Sequence, residues 1–208
     1  MRTKFAGLLL LAQPTRPHSD MIILALDQAP KNIGYAHGPI GGVPTRGVRR
    51  NPEYGEATIL LGESVYDWTV TLIKSSGAER VYFEQVLVRR VGLHLPTLYN
   101  QFMVANAIQL AALDCGLKHD IYDVDIADWR REFYRGSRPT KTKDDQSAQW
   151  KEMALIECAD RGWLVDDHNA AEACGIWFFG CCHSDRRTYN SHKVEARREE
   201  LKRWNSEA

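Results

Sequence analysis

Neither sign of charge is in excess: 27 Lys and Arg stand against 27 Asp and Glu in 208 residues. Bulk attraction therefore argues neither for nor against nucleic acid, and the local distribution of charge has to decide. No stretch reaches the roughly 20 apolar residues that a membrane-spanning helix needs. The N-terminal run Phe5 to Ala12, behind Arg2 and Lys4, has the charged start and short apolar run of a secretory signal, but it lacks a small-x-small cleavage site before Pro14. No membrane association is expected. Met21 stands directly before the first apolar run, so residues 1–20 read as a dispensable or disordered extension. The five cysteines, Cys115, Cys158, Cys174, Cys181 and Cys182, lack the repeated C-x-x-C spacing of a zinc module. In their apolar surroundings they read as reduced, buried thiols of a cytoplasmic protein. A zinc site at Cys181-Cys182-His183 is disfavoured because adjacent cysteines chelate one ion poorly. Repeats and low-complexity segments are also missing, and this length buries one core. A single domain over 21–184 is expected, followed by a mixed-charge helix or tail over 185–208.

What is there begins with Ile22-Ile23-Leu24-Ala25-Leu26-Asp27, an apolar run that stops on a carboxylate and is followed by a Pro/Asn/Gly cluster. It reads as a buried strand with a hairpin into a second strand over Ile33 to His37. An unpartnered buried carboxylate costs several kcal/mol, so Asp27 belongs at a wet edge, beside a cation or on a metal. The pattern recurs at Arg80-Val81-Tyr82-Phe83-Glu84, and Asp166-Asp167-His168 precedes a late helix.

Between these landmarks, Gly38 to Gly55 reads as a long exposed connection or hairpin tip and Ala57 to Leu61 as a third strand. Helical spacing marks Glu63 to Ser75 and about Pro96 to Asp114. A strand is expected over His119 to Asp125, a short helix over Ala127 to Tyr134, and two helices over Asp145 to Arg161 and Asn169 to His183. Strands followed by alternating strands and helices predict an α/β layered domain.

Three carboxylates brought to one sheet edge, from Asp27, Glu84 and the helix near Asp167, would make a hard-cation site for Mg²⁺ or Mn²⁺. A pair of such ions about 4 Å apart can activate water against a phosphodiester. On the late helix, His168, Asn169 and Glu172 can share one face, while Asp167 stands equally well as the N-cap. Between Arg130 and Lys143 there are six Lys or Arg against one acid, Glu132, beside Trp129, Phe133 and Tyr134. Cations among aromatics suit the phosphates and bases of a nucleic-acid strand.

Taken together, Leu24-Ala25-Leu26-Asp27 with Gly34, Tyr82-Phe83-Glu84-Gln85-Val86, Trp129-Arg130 with Gly136 and the basic loop, and Asp167-His168-Asn169-Ala170-Ala171-Glu172-Ala173 resemble RuvC-type Holliday junction resolvases. The likeness is to the phage-encoded branch of the RNase H-like superfamily. It implies an RNase H-like fold with a mixed five-stranded sheet flanked by helices. It further implies a Mg²⁺-dependent endonuclease acting as a homodimer on branched DNA, in a bacterial host's cytoplasm if phage-encoded. Asp27 and Glu84 match the first two catalytic acids and Glu172 the helix acid; the fourth position falls on Asn169, and beside it Asp167 is expected as a further metal ligand and His168 as a proton carrier or ligand. Leu87 falls where the family has an aromatic wedge. Arg89, Arg90, Arg130, Arg135, Arg138, Lys141 and Lys143 would face DNA. Two rivals stay open: an RNase H-like nuclease acting on RNA–DNA hybrids, and a junction-binding protein without catalysis.

Overall fold

The computed structural model describes residues 20–55, 57–86, 95–140 and 146–185. Its strands are β1 (Ile22–Asp27), β2 (Asn32–Pro39), β3 (Thr45–Arg50), β4 (Arg80–Glu84) and β5 (Ile121–Val124). Its helices are α1 (Thr58–Ser76), α2 (Leu95–Asp114), α3 (Ile126–Phe133), α4 (Gln146–Asp160) and α5 (His168–Ser184). The sheet runs β3-β2-β1-β4-β5, antiparallel across the β1–β2–β3 meander and parallel from β1 through β4 to β5. This is the mixed five-stranded sheet expected from the sequence.

Period-2 alternation sorts the two cores. Ile23, Ala25, Ala36 and Tyr82 face the layer of α3, α4 and α5, together with Trp129, Phe133 and Trp177. Leu24, Leu26, Ile33, Val81 and Phe83 face the opposite layer, where α1 and α2 supply Leu61, Val65, Val104 and Ile108. A strand buried on both faces reads as an unbroken apolar run, which is why β1 was recognisable without alternation. Each fully buried Leu or Ile here contributes about 2 kcal/mol by leaving water.

Two expectations are corrected. The segment called an exposed connection contains β3, an edge strand that pairs only with β2. Thr45-Arg46-Gly47-Val48-Arg49-Arg50 reads as a loop because it holds a glycine and three arginines, yet an edge strand tolerates both. The glycine is required by the close approach of Tyr35, whose hydroxyl would lie 2.6 Å from a Cβ at Gly47. Arg46 is tied to the carbonyl oxygens of Leu164 and Pro44, and Arg49 to Asn51 and Ser64 with its guanidinium over Trp68. The strand expected over Ala57 to Leu61 is instead the first turn of α1. Ile59 and Leu60 are exposed there, so the apolar run does not mark a buried strand.

All five cysteines are free, four of them buried and Cys115 half-buried. No described helix is long and apolar enough to cross a membrane. Residues 1–19 and 186–208, expected to be an extension and a charged tail, lie outside the described residues.

Candidate active site

Asp27 and Glu84 end β1 and β4. The parallel register pairs Leu26 with Phe83, so the two acids are neighbours one step further along. By the same alternation both project on the α5 side, Asp27 in phase with Ala25 and Glu84 in phase with Tyr82. The carboxyl ends of adjacent parallel strands are where open α/β sheets place their ligand sites.

The third acid arrives because α5 begins against this edge. Gly34 pairs with Asp27 across the hairpin, and a Cβ on it would lie 2.0 Å from the Asn169 carbonyl oxygen. The missing side chain therefore lets the first turn of α5 sit on β2, and Glu172 lies one turn further in. Asp167 starts the helix: its Oδ1 accepts the Asn169 N–H at 2.7 Å, an N-cap. His168 is half-buried beside it.

Asp27 lies within electrostatic reach of both Glu84 and Glu172. Its carboxyl is pushed well above the usual carboxylate range, first by burial and then by the charges of Glu172 and Glu84; Arg130 and Lys151 pull the other way. Asp27 is 8 % exposed, and its Oδ2 has no hydrogen-bond partner among the described residues. Asp167 is not among the charges acting on it.

Each glutamate is held from α3. Trp129 donates its indole N–H to Glu84 Oε2 at 3.1 Å, and Arg130 pairs with Glu172 Oε1 at 2.9 Å. The Arg130 guanidinium lies 5.2 Å from the Trp129 ring centroid and 4.7 Å from that of Trp150. Gln28 donates to the Glu84 main-chain carbonyl. Beside the acids a cleft opens, lined by Asp27, Gln28, Ala29, Glu84, Gln85, Val86 and Gln101.

A divalent cation suits this donor set: three carboxylates, one of them carrying a buried oxygen that nothing among the described residues satisfies. As the side chains stand, no three His, Cys, Asp or Glu groups among the described residues are gathered tightly enough to enclose an ion. The same holds for Cys181, Cys182 and His183.

Of the residues expected to meet DNA, Leu87, Arg89, Arg90, Lys141 and Lys143 lie outside the described residues. Arg138 is exposed. Arg135 takes a left-handed backbone conformation with φ 53° and reaches Glu157 at 3.7 Å. Arg130 points inward to Glu172, with only 17 % of its side chain exposed. Sequence reading missed Lys151, Gln28 and the Trp129 indole. The adjacency of Trp129 and Arg130 was a visible signal for the indole; Gln28 and Lys151 had none.

A mixed sheet in the order β3-β2-β1-β4-β5, with helices on both faces and acids at the ends of β1 and β4, defines an RNase H-like α/β domain. The fold is that of RuvC. The chain is similar to Thermus thermophilus RuvC, with a TM-score of 0.57 and 13 % identity over 78 % of this chain and 95 % of that one. It is similar also to T. thermophilus RuvC in complex with a Holliday junction substrate, at TM-score 0.56, 12 % identity and 78 % and 94 % coverage. The yeast mitochondrial Holliday junction resolvase Ydc2 matches at TM-score 0.50 and 11 % identity, over 87 % of this chain and 88 % of that one. No family model and no curated sequence matches the chain.

Proposed function

We propose that the chain is a metal-dependent, structure-selective endodeoxyribonuclease that resolves four-way or branched DNA junctions by phosphodiester hydrolysis. The observation that carries this reading is the convergence of Glu84 and Glu172 on buried Asp27, whose Oδ2 is unpartnered. The RuvC-like fold supports it, because one of the similar structures holds a Holliday junction. The narrower reading of a phage-encoded enzyme rests on the sequence motifs around Asp27, Glu84 and Glu172, since the similar structures are bacterial and mitochondrial.

Asp27, Glu84 and Glu172 would hold Mg²⁺, with Mn²⁺ as a substitute. When bound, the ion supplies positive charge to the scissile phosphate and acidity to the attacking water. Asp27, 8 % exposed, would meet that charge where little water screens it. Trp129 orients Glu84, and Asp167 fixes the start of α5 so that Glu172 faces the sheet edge. His168, next to the cap, is the candidate to carry the proton between water and the leaving oxygen. Arg135 and Arg138 would meet phosphates, with Leu87, Arg89, Arg90, Lys141 and Lys143 alongside them.

Paired cuts across a junction require two copies. α2 supports a homodimer, since Leu95, Tyr99, Phe102, Leu110 and Leu113 are exposed apolar residues on one helix whose sole charge is the terminal Asp114. A second reading, a junction-binding protein without catalysis, draws support from the Arg130–Glu172 pair, which places a protein cation on an expected metal ligand. The deciding experiment is a cleavage gel of a synthetic four-way junction under Mg²⁺ and Mn²⁺ titration, beside an RNA–DNA hybrid. Symmetric junction cleavage is expected. Binding with no cleavage in either metal would favour the second reading, and cleavage of the hybrid alone would make the chain an RNase H-like nuclease of another substrate class.

A further inference from the structure

Arg130 sits on the Glu172 side of the acids. Its guanidinium contacts Glu172 Oε1 at 2.9 Å and lowers the proton affinity of Asp27, so one cation serves two of the three carboxylates. Two indoles, Trp129 and Trp150, lie against it, and its buried Nε has no hydrogen-bond partner among the described residues. An arginine held mainly by ring faces and one carboxylate oxygen is charge-matched to the site but incompletely hydrogen-bonded. The neighbouring Trp129 holds Glu84 at the same time. Two consecutive residues of α3 thus hold two of the three acids, while Asp27 Oδ2 is left bare.

We infer that Arg130 is the internal counter-cation of the metal-free site: it neutralises Glu172 while no ion is bound and surrenders that carboxylate when a divalent ion enters. The inference rests on the metal-binding reading above and deepens it, making Arg130 a positioning residue of the site. The physical reason is charge balance. Two buried carboxylates and a half-buried third repel one another, and the closed pair with Arg130 relieves that repulsion until Mg²⁺ does so more completely. A bound ion adds two positive charges beside the guanidinium, so the pair with Glu172 then loses its electrostatic basis. The Trp129–Trp150 clamp keeps the released side chain near, facing the same edge.

The test uses the full-length protein and Mg²⁺ alone, without DNA. Isothermal titration compares the wild type with Arg130→Met, which keeps the unbranched apolar stem between the indoles and removes the competing charge. Arg130→Met is expected to bind Mg²⁺ about tenfold more tightly, the equivalent of one charge-assisted hydrogen bond no longer competing. The second readout needs no altered core. In the wild type, the Arg130 Nε–Hε resonance, assigned by its loss in Arg130→Lys, is expected to shift as Mg²⁺ is added. Equal or weaker binding by Arg130→Met together with an unmoved resonance would overturn the counter-cation role and leave the metal site standing. No Mg²⁺ binding by either protein would overturn both.

Discussion

Gly34 and Asn169 approach so closely that a methyl group on the glycine would fall 2.0 Å from the Asn169 carbonyl oxygen. This contact joins the β1–β2 hairpin to the start of α5, and with it the Asp27 side of the site to the Glu172 side. Gly34→Ala is expected to force α5 outward, cost about 3 kcal/mol of unfolding free energy, and weaken Mg²⁺ binding. Urea denaturation followed by calorimetric titration of the folded fraction measures both. A variant as stable as the parent would mean that the contact is easily relieved.

Asp27 separates stability from function. Asp27→Asn removes a buried charge disfavoured by its surroundings, so the metal-free protein should melt several degrees higher, about 3 °C for each kcal/mol gained. The same change should abolish junction cleavage while leaving junction binding in Ca²⁺ intact. A lower melting temperature in the absence of metal would show that the Asp27 charge is stabilised rather than strained.

The pH dependence has a definite sign. Asp27 has a folded-state pKa above its unfolded value, so the native state binds more protons than the unfolded state in the window between the two. The Asp27 contribution to stability therefore falls as pH rises from the ordinary carboxylate range through the raised folded value. Divalent ions bind the ionised form, so the Mg²⁺-induced rise in melting temperature should be larger at pH 8 than at pH 5. Melts at the two pH values, with Mg²⁺ and with EDTA, check this; an equal Mg²⁺ effect at both would place the strained carboxyl elsewhere.

The exposed α2 stripe bears on assembly. Tyr99→Glu and Phe102→Glu together place charge on an apolar face without touching the core, and are expected to convert a dimer to monomers with a cost in monomer stability below about 0.5 kcal/mol. Sedimentation equilibrium reads the mass. A wild type that is already monomeric at tens of micromolar would remove this surface from consideration.

How far the site could be read from the chain differs residue by residue. Asp27 and Glu84 were legible because each closes a short β-type run, and the strand period assigns their faces. Glu172 was legible from helical spacing after the Asp167 cap. β3 was hidden because Arg46, Gly47, Arg49 and Arg50 have the composition of a loop, and only pairing with β2 and the Tyr35 ring over Gly47 explain them. Arg130 looked like one more cation of a basic stretch, and its inward turn could not be foreseen.

The order of elements, the two-faced burial of β1 and β4, and the acids at their ends follow from patterns a few residues long, because period and burial are local properties of the chain. Which cation meets which acid does not. Glu84 finds Trp129 across 45 positions and Glu172 finds Arg130 across 42, and such pairings depend on how α3 and α5 pack over the sheet, where desolvation and competing charges select one partner among many.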